Sequence, residues 1–380
     1  MDIGKEIKME KIKPWLRVVG FFAGLCVVLS VCDVLFAQTG YVRFILHEQK
    51  KGGYDTIIVG ASHCRGGINP ERLDEKNGTN SLNMAIPGET VQDSYFIIKD
   101  AAKNNDIKTV IFDIDYQYWF YEQPTTHFTR PFIYEQFTDP GIKFEYLLRN
   151  WDVLDMRNFL ANRLTWDYKL STVKRNIAMK TSDAYKNYDI ESAYSEDGVV
   201  EGADGPYVGK GFFERRGTEP GKLPPGADYV ATWIDRYDDA IDENVKDIFR
   251  ELVKFCKEND IELICVTSPI TPTVVKTLGM DTVHDTMSAF LVDECGLEYY
   301  DFNKALMSSV PRDDCNYGDQ EGHMGGELAE IYSTALGNLL KDRTSGKVDE
   351  SKYFYSTFED MFNNMRSDYE KVTGNKWEGL

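Results

Sequence analysis

At 380 residues with 42% apolar content, the chain can hold one large domain or two small ones around a substantial core. A formal net charge of -19 argues against nucleic acid as a partner and against wide contact with anionic polymers, although a local basic pocket for one anionic group is compatible with it. The seven cysteines include no Cys-x-x-Cys pair and no zinc spacing, so the pattern points to a disulfide-free protein with no metal site and no cofactor.

Residues 1–17 form a short tail of mixed charge, expected on the cytoplasmic side. Residues 18–37 are apolar except for Asp33, just long enough to cross a bilayer as a helix. Asp33 falls within about a turn of the outer interface, where its cost is lower than at the centre. The lysines before the run favour an inside amino terminus, and Arg43, Lys50 and Lys51 after it weaken that preference. A cleaved signal peptide is the competing reading. No Ala-x-Ala site closes the run, because Leu35 stands two before Ala37. An uncleaved single-pass anchor is therefore the expectation, and either way the remainder is extracytoplasmic.

From Tyr54 onward, strand and helix patterns alternate. Thr56-Ile57-Ile58-Val59 reads as a buried strand, Ser81–Met84 as a second, Lys108–Ile114 as a third, Glu262–Thr267 as a fourth and Leu297–Tyr300 as a fifth. Helices are expected over Val91–Asn104, Ile241–Asn259 and Glu327–Leu340. This alternation predicts an α/β domain over residues 50–343, a flavodoxin-like three-layer sandwich with a parallel sheet in the order 2-1-3-4-5. An aromatic-rich insertion over about 117–235 interrupts it after the third strand. The insertion has a helix-like stretch, Phe144–Leu164, and then the Gly- and Pro-punctuated runs EGADGPYVGKGFFERRG and EPGKLPPGADY, expected to hold little regular structure. Lying after a strand's carboxyl end, it is read as a substrate-side cap, with a purely structural helical layer as the alternative. The tail, 344–380, is amphipathic and expected to pack back on the domain.

The chemistry concentrates in YDTIIVGASHCRGGIN, residues 54–69. Ser62 stands two residues after Gly60 at the end of the first strand, where such sheets place ligands. A plain helix-capping serine is the alternative. Cys64 occupies the position where the Gly-x-Ser-x-Gly elbow of α/β-hydrolases has its second glycine. The stretch resembles instead the first motif of SGNH/GDSL-type hydrolases. GASHCRGGINPERL, more narrowly, is similar to the opening of membrane-anchored SGNH-like proteins of bacterial cell envelopes. That resemblance implies a nucleophilic Ser62 and a base just before the last helix, where YGDQEGHMGGELAEIYS supplies His323. The family's orienting carboxylate lies three before the base, but Gln320 is there. Asp319, four before, is the expected third member through a bulge at Gly322, with Glu321 as the other candidate. The resemblance also implies oxyanion donors: the amide of Ser62, Gly88 in NMAIPGET, and an asparagine after strand three. FDIDYQYWF has no such asparagine, and Asp115 there is read as structural. Arg65 is a candidate for a phosphate or sugar carboxylate. Tyr116 and Trp119, with Tyr118, are candidates for a sugar platform, core packing being the alternative. His63 has no role assigned from sequence; nor have His127 and His284.

The resemblance covers the first three strands and the last helix. It implies serine-dependent O-acyl transfer or O-deacylation on an envelope glycopolymer, alongside a membrane-bound O-acyltransferase as partner. A plain esterase or lipase, and a catalytically inactive scaffold binding polymer or partner, are the other readings.

Overall fold

Five short strands pair into one sheet: the β-branched and apolar runs β1 (Thr56–Val59), β3 (Thr109–Asp113) and β6 (Glu262–Thr267), with the more polar β2 (Ser81–Asn83) and β7 (Glu298–Asp301) at its edges. In the computed structural model the sheet order is β2-β1-β3-β6-β7, with every neighbouring pair parallel. The structure describes residues 3–120, 129–155, 163–195, 198, 200, 205–218, 240–346 and 348–377, with side chains from Pro14 onward. The period of two along a strand divides the buried side chains between two layers. Ile57, Val59, Val110, Phe112, Leu263 and Cys265 join one cluster, which includes Phe96 and Phe249 from helices Val91–Asn104 and Glu243–Glu258. Ile58, Ile111, Ile264 and Val266 join the other, with Leu328 and Leu336 from helix Gly326–Thr344. Both faces are thus covered, and each fully buried Ile or Leu contributes roughly 1.5–3 kcal/mol of transfer free energy.

The N-terminal helix runs Ile3–Phe36, and its segment Pro14–Phe36, 23 residues, is long and apolar enough to cross a membrane. The helix ends in contacts with the insertion. Trp166 Nε1 donates to Asp33 Oδ1 at 3.0 Å, and Asn176 Nδ2 donates to the Leu35 carbonyl at 2.9 Å.

The insertion is more regular than its sequence suggests. Helix Pro140–Arg149 starts earlier than expected, because Asp139 caps the amides of Gly141 and Ile142 and Pro140 suits the first turn. A separate short helix, Trp151–Leu154, follows it, so no single helix spans Phe144–Leu164, part of which lies outside the described residues. Helix Leu170–Thr181 packs on the N-terminal helix. The run EGADGPYVGKGFFERRG holds an antiparallel hairpin, β4 (Tyr207–Gly209) and β5 (Phe212–Phe213). Gly211 makes the hairpin possible: its φ is +87°, and a Cβ there would lie 1.8 Å from the Asn83 carbonyl oxygen. EPGKLPPGADY and His127 lie outside the described residues. Of the described insertion, residues 205–218 border the region of Ser62, while helix Arg130–Gln136 packs on helix Tyr41–Glu48. The tail folds back as helix Phe358–Thr373, burying Phe358, Met361, Met365 and Tyr369.

Candidate active site

Gly60 ends β1 with φ +152°, and a Cβ there would meet Cys64 Cβ at 2.9 Å and Asp113 at 3.0 Å. Only glycine lets the chain turn so close to β3 and enter the short helix Ser62–Gly67. Asn83, at the end of β2, pins that helix. Its Nδ2 donates to the carbonyls of Cys64 (3.0 Å) and Ile68 (2.9 Å), and its Oδ1 accepts from the Ala85 amide. Ser62 is the first residue of the helix and half-buried, so its amide has no acceptor within the helix.

Across the carboxyl edge of the sheet, the segment before helix Gly326–Thr344 folds into a tight loop. Tyr317 bridges Met324, and the Gly318 amide donates to the His323 carbonyl at 2.9 Å. Gly322 has φ +98° and lies so close to Ile270 that a Cβ would sit 2.4 Å from that side chain's Cβ. The turn brings Asp319 over the imidazole of His323. Asp319 Oδ2 is 2.8 Å from His323 Nδ1, and Oδ1 accepts from the amides of Gly322 and His323 at 3.1 Å each. His323 Nε2 is 2.7 Å from Ser62 Oγ. Glu321 Oε2 is 4.0 Å from Nδ1. With Asp319 accepting from Nδ1–H, the Nε2 lone pair faces the serine hydroxyl, which donates to it. Burial raises and the His323 hydrogen bonds lower the carboxyl of Asp319, and the bonds win, holding it at about 2. Burial, then the neighbouring His63 charge, bring His323 down to about 4 against the pull of Asp319.

His63 is the residue whose place the sequence did not reveal. Its ring stacks on that of His323 at 4.3 Å between centroids and 4° between planes. Nδ1 is 2.9 Å from Asp115 Oδ2, and Nε2 is 2.9 Å from the Glu321 carbonyl oxygen. Both partners are acceptors only, so both ring nitrogens carry hydrogen and His63 is an imidazolium. Burial opposes that charge, but Asp115 overrides it and raises the pKa to about 9. Asp115, which stands where an asparagine donor was sought, is occupied as this counter-ion. The only sequence signal for the pair was that His63 adjoins the serine.

Gly88 lies in a buried turn after β2 with φ +75°, and its carbonyl accepts from Thr129 Oγ1 at 3.3 Å. Glu89 supports the turn from beneath. It accepts from the Ile86 amide and from the Ser94 hydroxyl, and burial pushes its carboxyl well above the usual range.

All three substrate-binding candidates take part in packing contacts. The Arg65 guanidinium lies over the rings of Tyr41 and Phe213 at 5.0 and 5.2 Å, where its flat, weakly hydrated head packs the hairpin against the serine helix. Trp119 is 1% exposed and packs edge-on against Phe112 and Phe249, so it is core. Tyr116 is buried, its hydroxyl donating to Asp301 Oδ2 at 3.0 Å. His284 also bonds Asp301, at 2.9 Å, in a structural contact. Arg215, from the insertion, comes within 3.5 Å of Asp319 Oδ2. It also lines a cavity of about 730 Å³ with Arg216, Thr218, Asp313, Glu327 and Lys376, which does not include Ser62 or His323. Among the described residues no group of His, Cys, Asp and Glu could hold a metal ion.

No protein-family model matches the chain, and no curated protein is detectably similar to it.

Proposed function

We propose that this chain is a serine-dependent acyl-ester enzyme of the SGNH type, held at a membrane by its N-terminal helix. It transfers or removes O-acyl groups on an extracytoplasmic glycopolymer. The observation that carries the reading is the contact chain Ser62 Oγ, His323 Nε2, His323 Nδ1, Asp319 Oδ2, with separations of 2.7 and 2.8 Å. A hydroxyl on this chain has a neutral base to take its proton and a carboxylate to stabilise the imidazolium that forms. The flavodoxin-like strand order, with Ser62 after the first strand and His323 before the last helix, is consistent with that family.

In the proposed reaction Ser62 Oγ attacks the ester carbonyl while its proton passes to His323. The oxyanion is met by the Ser62 amide and the Gly88 amide. Collapse expels the sugar oxygen, which takes the proton from His323 and leaves an acyl-Ser62. Water or an acceptor hydroxyl, deprotonated by His323, then releases the acyl group. The specificity for a glycopolymer and a partnership with a membrane-bound O-acyltransferase rest on the family resemblance.

The anchor is supported by the way the helix end is built in. The carbonyls of Asp33, Leu35 and Phe36 accept bonds from Lys180, Asn176 and the Asp167 amide, so a cut near Ala37 would strand three donors of the folded domain. Tethering raises the effective concentration of the site for substrates and partners at the same membrane.

The test is turnover of an activated acetyl ester and release of acetate from an O-acetylated glycopolymer by the full chain. Ser62→Ala is expected to lower both by ~10³ or more. Equal turnover by variant and wild type would overturn the enzyme reading and favour a catalytically inactive scaffold.

A further inference from the structure

The surface beside the outer end of the N-terminal helix differs in charge from the rest of the chain. Residues 163–186 carry Arg163, Lys169, Lys174, Arg175, Lys180 and Lys186 against only Asp167 and Asp183, a net +4 in a chain of net -19. Apolar and aromatic side chains are exposed among these charges: Leu164, Tyr168 at 67% and Leu170 at 81%. Such side chains ordinarily avoid water unless something covers them.

The place of this surface is set by its bonds to the helix. Pro14–Phe36 is 23 residues long, ~35 Å at 1.5 Å per residue, against a hydrocarbon layer of about 30 Å. If the helix spans, its last turn therefore lies at the outer edge of the hydrocarbon. The last turn of a helix leaves carbonyls without intrahelical partners. Here those of Leu35 and Phe36 are satisfied from the basic segment, and that of Asp33, which already accepts the Ala37 amide at 3.0 Å, gains a second donor there. Lys180 Nζ donates to the Asp33 carbonyl at 2.5 Å, Asn176 Nδ2 to that of Leu35, and the Asp167 amide to that of Phe36 at 2.8 Å. The Gln38 amide returns a bond to the Thr165 carbonyl, also 2.8 Å. Trp166 donates its indole N–H to a carboxylate oxygen of Asp33, the one charged residue among 18–36. The ring of Tyr168 lies 5.9 Å from that of Phe36. A Trp and a Tyr tied to the exit turn of a membrane helix sit where amphipathic rings are favoured, at headgroup level.

We infer that the exposed face of residues 163–175 is a foot that seats the domain on an anionic phospholipid leaflet, with Tyr168 and Leu170 entering the interface and Arg163, Lys169, Lys174 and Arg175 meeting lipid phosphates. The inference rests on the membrane-spanning reading of the N-terminal helix. The charge complementarity selects the occupant: each lysine or arginine near an anionic leaflet gains about 1 kcal/mol, roughly a five-fold preference, and the apolar side chains beside them fit the same boundary. The foot limits tilting of the domain about the exit turn, which fixes the height of Ser62 above the bilayer.

The test uses the full chain in nanodiscs of phosphatidylcholine alone or with phosphatidylglycerol. A photoreactive benzophenone side chain replaces Tyr168, Val28 or Val372 in separate proteins. Val28, 58% exposed on the N-terminal helix, reports spanning, and Val372, 47% exposed on the C-terminal helix, is the background. Lipid adducts are expected at 28 in both bilayers. At 168 they are expected well above the yield at 372, and several-fold higher with phosphatidylglycerol. Lys174→Glu with Arg175→Glu should remove that preference while leaving 28 unchanged. Lipid labelling at 28 with none above background at 168, or equal yields at 168 in the two bilayers, would overturn the foot and leave the anchor standing. No labelling at 28 would overturn both.

Discussion

Two imidazoles lie face to face beside Ser62, and only one of them has room for a lone pair. His63 spends both nitrogens on acceptors, Asp115 and the Glu321 carbonyl, so of the two rings only His323 can serve as the base in the proposed mechanism. The charge of His63 also makes a second charge on the neighbouring ring costly. Burial, then that charge, set His323 at about 4, and the base must be neutral to act. We predict that the acid limb of the kcat/KM profile has its midpoint at about 4, activity rising with pH through that value. His63→Gln removes the charge and should move the limb upward, yet keep it below the usual ~6.5 because burial remains. A limb that stays in place or moves down would show that His63 does not act on His323 through its charge. The choice of carboxylate is a second residue-scale matter. Asp319 holds Nδ1 at 2.8 Å while Glu321 is 4.0 Å away, so Asp319→Asn should cost ~10² or more in rate and Glu321→Gln less than ~10. Steady-state rates with an acetyl ester decide it, and the reverse ranking would move the role to Glu321.

At the scale of elements, the parts that were legible are those with a local pattern. The strands Thr56–Val59, Thr109–Asp113 and Glu262–Thr267 are short continuous apolar runs, and their alternation with amphipathic helices implied a parallel sheet and its order. The hairpin Tyr207–Phe213 was not legible, because its glycines read as loop punctuation although Gly211 exists to let β4–β5 pass over Asn83. Helix Leu170–Thr181 buries only Asn176 and Met179, too few positions to mark an apolar face. Pairing of His63 with Asp115, 52 residues apart, had no local signal because it depends on β1 and β3 lying side by side. The turn at Gly60 links these scales, since it is where β1 must pass under Asp113 to present the serine helix. Gly60→Ala adds both a φ of +152° that an L-residue avoids and contacts at 2.9–3.0 Å. We predict a loss of ~2 kcal/mol or more in urea unfolding. A midpoint within error of wild type would mean that the turn relaxes freely.

For the whole molecule, the arrangement joins a helix able to span a membrane, a basic face at that helix's carboxyl end, and a half-buried serine at the carboxyl edge of a parallel sheet. An insertion between β3 and β6 touches two of these places, with helix Leu170–Thr181 on the N-terminal helix and Arg215 at Asp319. The proposed glycopolymer substrate comes only from the resemblance, because specificity depends on side chains that the fold places rather than on a motif. The Arg65, Tyr116 and Trp119 readings show why: residues of the right chemistry near the serine in sequence are used for packing instead. The central claim is that Ser62 is a nucleophile activated by His323. It is tested most directly by treating the full chain with a fluorophosphonate probe near neutral pH and locating the adduct by peptide mass spectrometry. A single phosphonyl group is expected on the peptide containing Ser62, absent from Ser62→Ala and slowed by ~10² or more in His323→Ala. No adduct on wild type, or an adduct retained by Ser62→Ala, would contradict it.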